Sequence, residues 1–148
     1  MKSFYSILSL LTFILLISSC ASNTEQIITN PDINSINGWI DNDSCWVTGT
    51  GSPDKRIQNP LLRPIDSAEN AKRDAQKLML EFLINTYLNQ SSADYDTVKN
   101  AFIKVYSPLI ESGKVTQEKQ IDYDSSKVVF VITKKNLRRE ILSGSALK

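Results

Sequence analysis

The stretch Leu16-Ile17-Ser18-Ser19-Cys20 sets where a folded domain can begin. It closes a basic Met1-Lys2 and an apolar run from Phe4 to Ile17. A membrane-spanning helix takes about 20 predominantly apolar residues, so this run is short for a stable span. It has the build of a cleavable signal peptide. Small residues before a cysteine make the segment a lipobox: residues 1–19 would be removed, and Cys20 would carry palmitate-type chains as the first residue. Each buried methylene contributes about 0.8 kcal/mol, and more than one chain makes a lasting anchor. The alternatives are an uncleaved signal anchor, or a secreted chain in which Cys20 is incidental. Ala21 and Ser22 stand where inner-membrane lipoproteins typically carry Asp. The expected location is therefore the outer membrane, with the domain in the periplasm.

Of the 148 residues, those after the signal make one domain's worth of chain. Of 17 Lys and Arg only Lys2 precedes Cys20, so the mature chain carries 16 basic against 16 acidic residues. That balance points away from nucleic acid and from electrostatic steering. Membrane contact is expected through lipid on Cys20, not through a basic patch. The chain has no histidine, which removes the commonest general base and metal ligand. If Cys20 is acylated, Cys45 is an odd thiol in an oxidising compartment. Its simplest reading is a small buried side chain beside Trp46; an intermolecular disulfide or a redox role stays open.

Residues 20–37 read as a lipidated, flexible tether, although Ile27, Ile28, Ile33 and Ile36 leave room for a short docked strand or turn. A single domain is expected over 38–142. Cys45 to Gly51 reads as a strand whose Gly49 and Gly51 permit a bulge or a close backbone approach. Residues 52–65 hold three prolines and form a long loop. A helix should start at Asp66-Ser67-Ala68-Glu69, capped by Asp66 or Ser67, and run to about Leu88. Its inward face is expected to hold Ala68, Ala71, Ala75, Leu78, Met79, Phe82 and Tyr87.

Asp94 or its neighbours cap a second helix carrying Tyr95, Val98, Phe102, Val105 and Leu109 inward. Pro108 should end or kink it near Tyr106-Ser107. Residues 115–123 and 127–132 read as an antiparallel hairpin turning at Asp124-Ser125-Ser126, with the second strand central. Asn136 starts a short helix with Leu137, Ile141 and Leu142 inward, and residues 143–148 should fray. The order is β-α-α-β-β-α. The expected fold class is α+β: a small three-stranded sheet, antiparallel or mixed, with helices packed on one face.

Little in this pattern suggests chemistry. Gly49-Thr50-Gly51 lacks the Gly-Lys-Ser/Thr of a phosphate loop, and a long loop separates it from the next helix. Asp41-Asn42-Asp43 lacks the downstream Gly and Glu of a calcium loop. Cys45 has no histidine to activate it. No catalytic residue, metal or cofactor is expected.

Three features together resemble a known group: the lipobox, the strand Trp46-Val47-Thr48-Gly49-Thr50-Gly51, and the Ala-rich helix Ala68-Glu69-Asn70-Ala71-Lys72-Arg73-Asp74-Ala75-Gln76-Lys77-Leu78. The chain resembles the twenty-kilodalton membrane-associated lipoprotein family, which includes a flagellar outer-membrane lipoprotein, across residues 39–142. That resemblance implies a non-enzymatic, envelope-anchored module that assembles with other proteins. The expected function is assembly or stabilisation of an envelope structure, with a flagellar one in view. Its partners would be envelope proteins or further copies of itself. The expected partner surface is Trp39 with Ile57, Leu61 and Leu62. The alternative is a ligand-binding or carrier lipoprotein, which needs an apolar cavity beneath Phe82 and Phe102.

Overall fold

The computed structural model describes residues 31–147. The signal peptide, Cys20 and the first part of the tether lie outside them. The described chain runs β1 (Asn37–Trp39), β2 (Ser44–Gly51), α1 (Arg63–Leu88), α2 (Tyr95–Glu111), β3 (Lys114–Asp122), β4 (Ser125–Thr133), α3 (Leu137–Ser143) and a 3-10 turn, Ser145–Leu147. The fold is α+β.

The sheet has four strands in the order β1-β2-β4-β3, and every pairing is antiparallel. The three-stranded expectation therefore misses β1, and the order becomes β-β-α-α-β-β-α. Asn37-Gly38-Trp39 has little strand character of its own. It exists by pairing with Val47, Trp46 and Cys45. The β1 ladder continues outward, since the Thr48 N–H donates to the Ile36 carbonyl at 2.7 Å. At the other edge the Gln117 side-chain amide donates to the Pro31 carbonyl at 2.9 Å. Thr48, Val129 and Gln117 form one row across β2, β4 and β3. Residues 31–36 thus cross the sheet on the face opposite the helices, and the expected tether gives way to ordered chain before Gly38.

Cys45 and Val47 face the helices, as do Val128, Phe130 and Ile132 of the central strand β4. Gly49 and Gly51 lie on the same side, and they decide how closely α1 approaches. A Cβ on Gly49 would stand 2.3 Å from the Ala71 carbonyl oxygen, and one on Gly51 would stand 2.1 Å from the Ala71 nitrogen. Backbone meets backbone there, so the Gly-x-Gly is a packing device. The β2–β4 register runs unbroken from Ser44↔Thr133 to Gly51↔Ser126, so there is no bulge in that pairing.

α1 starts at Arg63, three residues before Asp66, and Leu62 occupies its N-cap position without a side-chain cap. Pro64 is the reason: it pre-sets φ in the first turn, where its missing N–H leaves no bond unmade. The buried stripe is Ser67, Ala71, Ala75, Met79 and Leu83, every fourth residue, joined by Ile84. It is rotated from the expected face, so Ala68, Leu78, Phe82 and Tyr87 are only half-buried.

Asp94 caps α2 by accepting from the Thr97 N–H at 2.9 Å. Val98, Phe102, Tyr106 and Ile110 point inward, and Tyr95 is exposed. α2 does not stop at Ser107 but passes through Pro108 to Glu111. Proline removes the bond to the carbonyl four residues earlier. Both Lys104 and Pro108 are exposed, so water can take that bond's place. Tyr106 and Ile110, both buried, hold the last turns to the core.

At the C-terminus, Gly144 adopts φ 60° and closes α3, and the 3-10 turn brings Leu147 against the core. Residues 143–147 are thus ordered chain, not a frayed end. Leu137 and Ile141 are buried as expected, while Leu142 is half-buried.

Candidate partner surface

The four residues expected to form one surface fall at two ends. β2 and α1 run antiparallel, since Gly51 meets Ser67 and Ala71 while Cys45 meets Met79. Trp39 pairs with Cys45, and its ring lies 5.6 Å from that of Phe82. Leu62 precedes α1 at the opposite end. At about 1.5 Å per residue, some 30 Å of helix separates Leu62 from Phe82.

The first end, the tip, is built by the loop after β2, the start of α1 and the β3–β4 turn. Polar contacts clamp it. The Asp66 carboxylate accepts from the Asp54 N–H at 2.6 Å and from the Asn70 amide at 3.1 Å. Asp66 therefore ties down the loop rather than capping the helix. Arg63 donates from Nε to Asp124 at 2.7 Å and from a terminal nitrogen to the Ile57 carbonyl at 2.7 Å, so one side chain joins loop, helix and hairpin. Ser67 and Ser126 share a buried 2.6 Å hydrogen bond beneath. Hydrogen bonds from Arg56, first its guanidinium and then its backbone N–H, hold the Asp54 carboxyl well below the usual carboxylate range. Asp124 is lowered chiefly by its hydrogen bond from Arg63, and that bond raises Arg63.

On this clamped frame stand exposed apolar side chains: Leu61 (79%), Ile65 (62%), Tyr123 (57%), Leu62 (50%) and Ile121 (49%). Ile57 is half-buried. Sequence reasoning found Leu61 and Leu62 as an apolar pair within a polar loop. It missed Ile65, which helical spacing alone does not place outward, and it placed Ile121 and Tyr123 in the first hairpin strand without giving them a part in the surface. Ile121 falls at a register shift between Gln120 and Asp122. Such irregularities re-aim side chains at strand ends.

The far end is built differently. Trp39 is half-buried against Phe82, and the Arg138 guanidinium lies 5.7 Å from its ring centroid. Asp41 accepts from the Asp43 and Ser44 N–H groups, both at 2.7 Å. Asp43 accepts from the Asn136 N–H at 2.7 Å. Asp41 closes the turn between β1 and β2, and Asp43 ties that turn to the start of α3. Asn42, Arg138, Arg139, Leu142 and Ser143 line a shallow groove of about 500 Å³.

Glu140 accepts from the Tyr106 hydroxyl at 3.0 Å and pairs with Lys134 at 2.5 Å. Burial, and then this bond, push the Tyr106 hydroxyl up. Cys45 is fully buried, its thiol 3.5 Å from the Met79 sulfur, and desolvation raises its pKa far above the ordinary thiol value. Such a thiol is inert in the folded protein.

Aromatic rings pack around Phe102, while Phe82 lines a mostly polar hollow of about 300 Å³ with Asn37, Leu78, Glu81, Asn85, Thr86 and Asn89. Phe102 packs at 5.7 Å from Tyr87 and 5.0 Å from Tyr106, and Trp39 covers Phe82. Among the described residues no group of three or more His, Cys, Asp or Glu can hold a metal ion, and no helix is long and apolar enough to cross a membrane. Comparison of the chain with protein-family models, with curated proteins and with solved structures gives no match.

Proposed function

We propose that the chain is a lipid-anchored outer-membrane protein whose periplasmic domain works by contact rather than by catalysis, in the assembly or stabilisation of an envelope structure. The lipobox ending at Cys20 supports the anchor. The observation that carries the contact role is the contrast just described. The acidic and polar groups of the loops hold the fold together, while exposed apolar side chains cluster at the tip and Arg138 and Arg139 stand beside Trp39 at the far end. The groove beside Trp39 and Arg138 is the surface offered to other envelope proteins, with a flagellar assembly the first place to look on the strength of the family resemblance.

Photocrosslinking in cells tests this, with crosslinkable residues placed at Arg139 and Leu142 of the lipidated protein. Adducts to other envelope proteins support the reading and name the assembly. If neither position gives an adduct and the protein is monomeric in the envelope, the reading is wrong.

A further inference from the structure

We propose that the apolar tip formed by Leu61, Leu62, Ile65, Ile121 and Tyr123 docks on the lipid surface to which Cys20 ties the chain; this rests on the anchor proposed above. Among the described residues, five of the nine large hydrophobic side chains that are exposed lie at this one end. Scattered apolar residues on a surface are ordinary, but a cluster of them marks a contact. The cluster is also held in shape. The Arg63–Asp124 ion pair fixes the residues beside Leu62 to those beside Tyr123, and the Asp54–Asp66 hydrogen bond fixes the loop to α1.

The anchor's reach supports lipid as the occupant. Pro31 is pinned at Gln117, and Tyr123 stands six residues further along, about 20 Å at strand spacing. From Cys20 to Pro31 an extended chain covers at most about 40 Å. The acylated residue can therefore lie in the plane of the tip with slack to spare. The same reach permits other orientations, so the tether allows the tip to meet the bilayer and the apolar side chains favour that orientation. The orientation that buries the tip removes apolar surface from water.

Arg56 and Arg63, the tip's arginines, are paired with Asp54 and Asp124.

The test uses the full mature chain, acylated on Cys20, in phosphatidylethanolamine–phosphatidylglycerol vesicles with bromine in the acyl chains. Leu62→Trp adds a fluorophore at an exposed site, and the wild-type protein supplies the background from Trp39 and Trp46. The expected result is that the protein floats with the vesicles and that the added emission is quenched by the bromine. Restoring the emission with Leu61→Ser and Tyr123→Ser in the same chain would support the same assignment. A protein that floats but whose added emission is unquenched overturns the tip assignment and leaves the lipid anchor standing. A blue shift without bromine quenching means that protein covers the tip, and also overturns it. A chain that stays in the aqueous fraction overturns both readings.

Discussion

The two ends of this domain bury their residues by opposite means. At the tip, α1 lies against β2 through Gly49, Gly51, Ser67, Ala71 and Ala75, so the two backbones nearly touch. So close an approach leaves no room between helix and sheet for large side chains, and Leu61, Leu62 and Ile65 remain outside. At the far end the same helix carries Met79, Leu83 and Ile84, and Phe102 and Tyr106 of α2 fill the wider space. Residue size along one helix face therefore sets what each end leaves outside the core: large apolar side chains among paired charges at the tip, and a half-covered Trp39 beside Arg138 at the other.

The largest effects should come from removing what each end is packed with. Phe102→Ala empties the far end, where the ring contacts Tyr87 and Tyr106, and is expected to destabilise by about 3–5 kcal/mol. Gly51→Val attacks the tip, since its side chain would have to displace the Ala71 and Ser67 backbone. A loss of about 3 kcal/mol is expected. Denaturant unfolding of the full chain measures both. Thr50→Val is the control, because Thr50 sits between the two glycines but is exposed, and it should change stability by no more than about 0.5 kcal/mol. A Gly51→Val protein as stable as the Thr50→Val protein would show that the backbones are not in contact.

A smaller effect separates packing from display. Leu61 is the most exposed of the tip residues, so Leu61→Ser should shift stability by at most about 0.5 kcal/mol. A drop above about 1 kcal/mol would mean that Leu61 belongs to the core, and the contrast between the ends would fail.

How far these ends were legible in the sequence follows from the same physics. The apolar run Val128–Ile132 announced a central strand, and Asp94 announced its helix, because each signal is local. Gly49 and Gly51 announced a close approach, with a bulge or turn and a phosphate loop as the competing readings. β1 was illegible because Asn37-Gly38-Trp39 becomes a strand only when Cys45-Trp46-Val47 is there to pair with it. Pro64 and Pro108 misled in opposite directions. One extended α1 backward, and the other is tolerated on an exposed side of α2, where Lys104 and Pro108 are both exposed. The partner surface was split for a tertiary reason. Nothing near Trp39 in the sequence says that it lies beside Phe82, at the end of α1 away from Leu62.

The weakest effect tests the clamp that shapes the tip. Asp54 and Asp124 have carboxyl pKa values below the unfolded value of about 3.9, through Arg56 and Arg63 respectively. A carboxyl lowered in the folded state contributes its stabilisation fully above the unfolded pKa, and that contribution fades as pH falls through the folded value. Acidification below about pH 4 should therefore release the Arg63–Asp124 link first where solvent reaches it. Global stability should change little for this reason alone, since both carboxylates are solvent-exposed and surface ion pairs are weak. The readout is local: the NMR resonances of the Arg63 Nε–H and the Tyr123 ring should titrate together in the wild-type protein. In Arg63→Gln, Asp124 should titrate at a higher pH, and the Tyr123 shift should lose its link to that titration. If Asp124 titrates identically with and without the guanidinium, Arg63 does not hold the hairpin to the helix, and the tip is shaped by the buried Ser67–Ser126 bond and the Asp66 contacts alone.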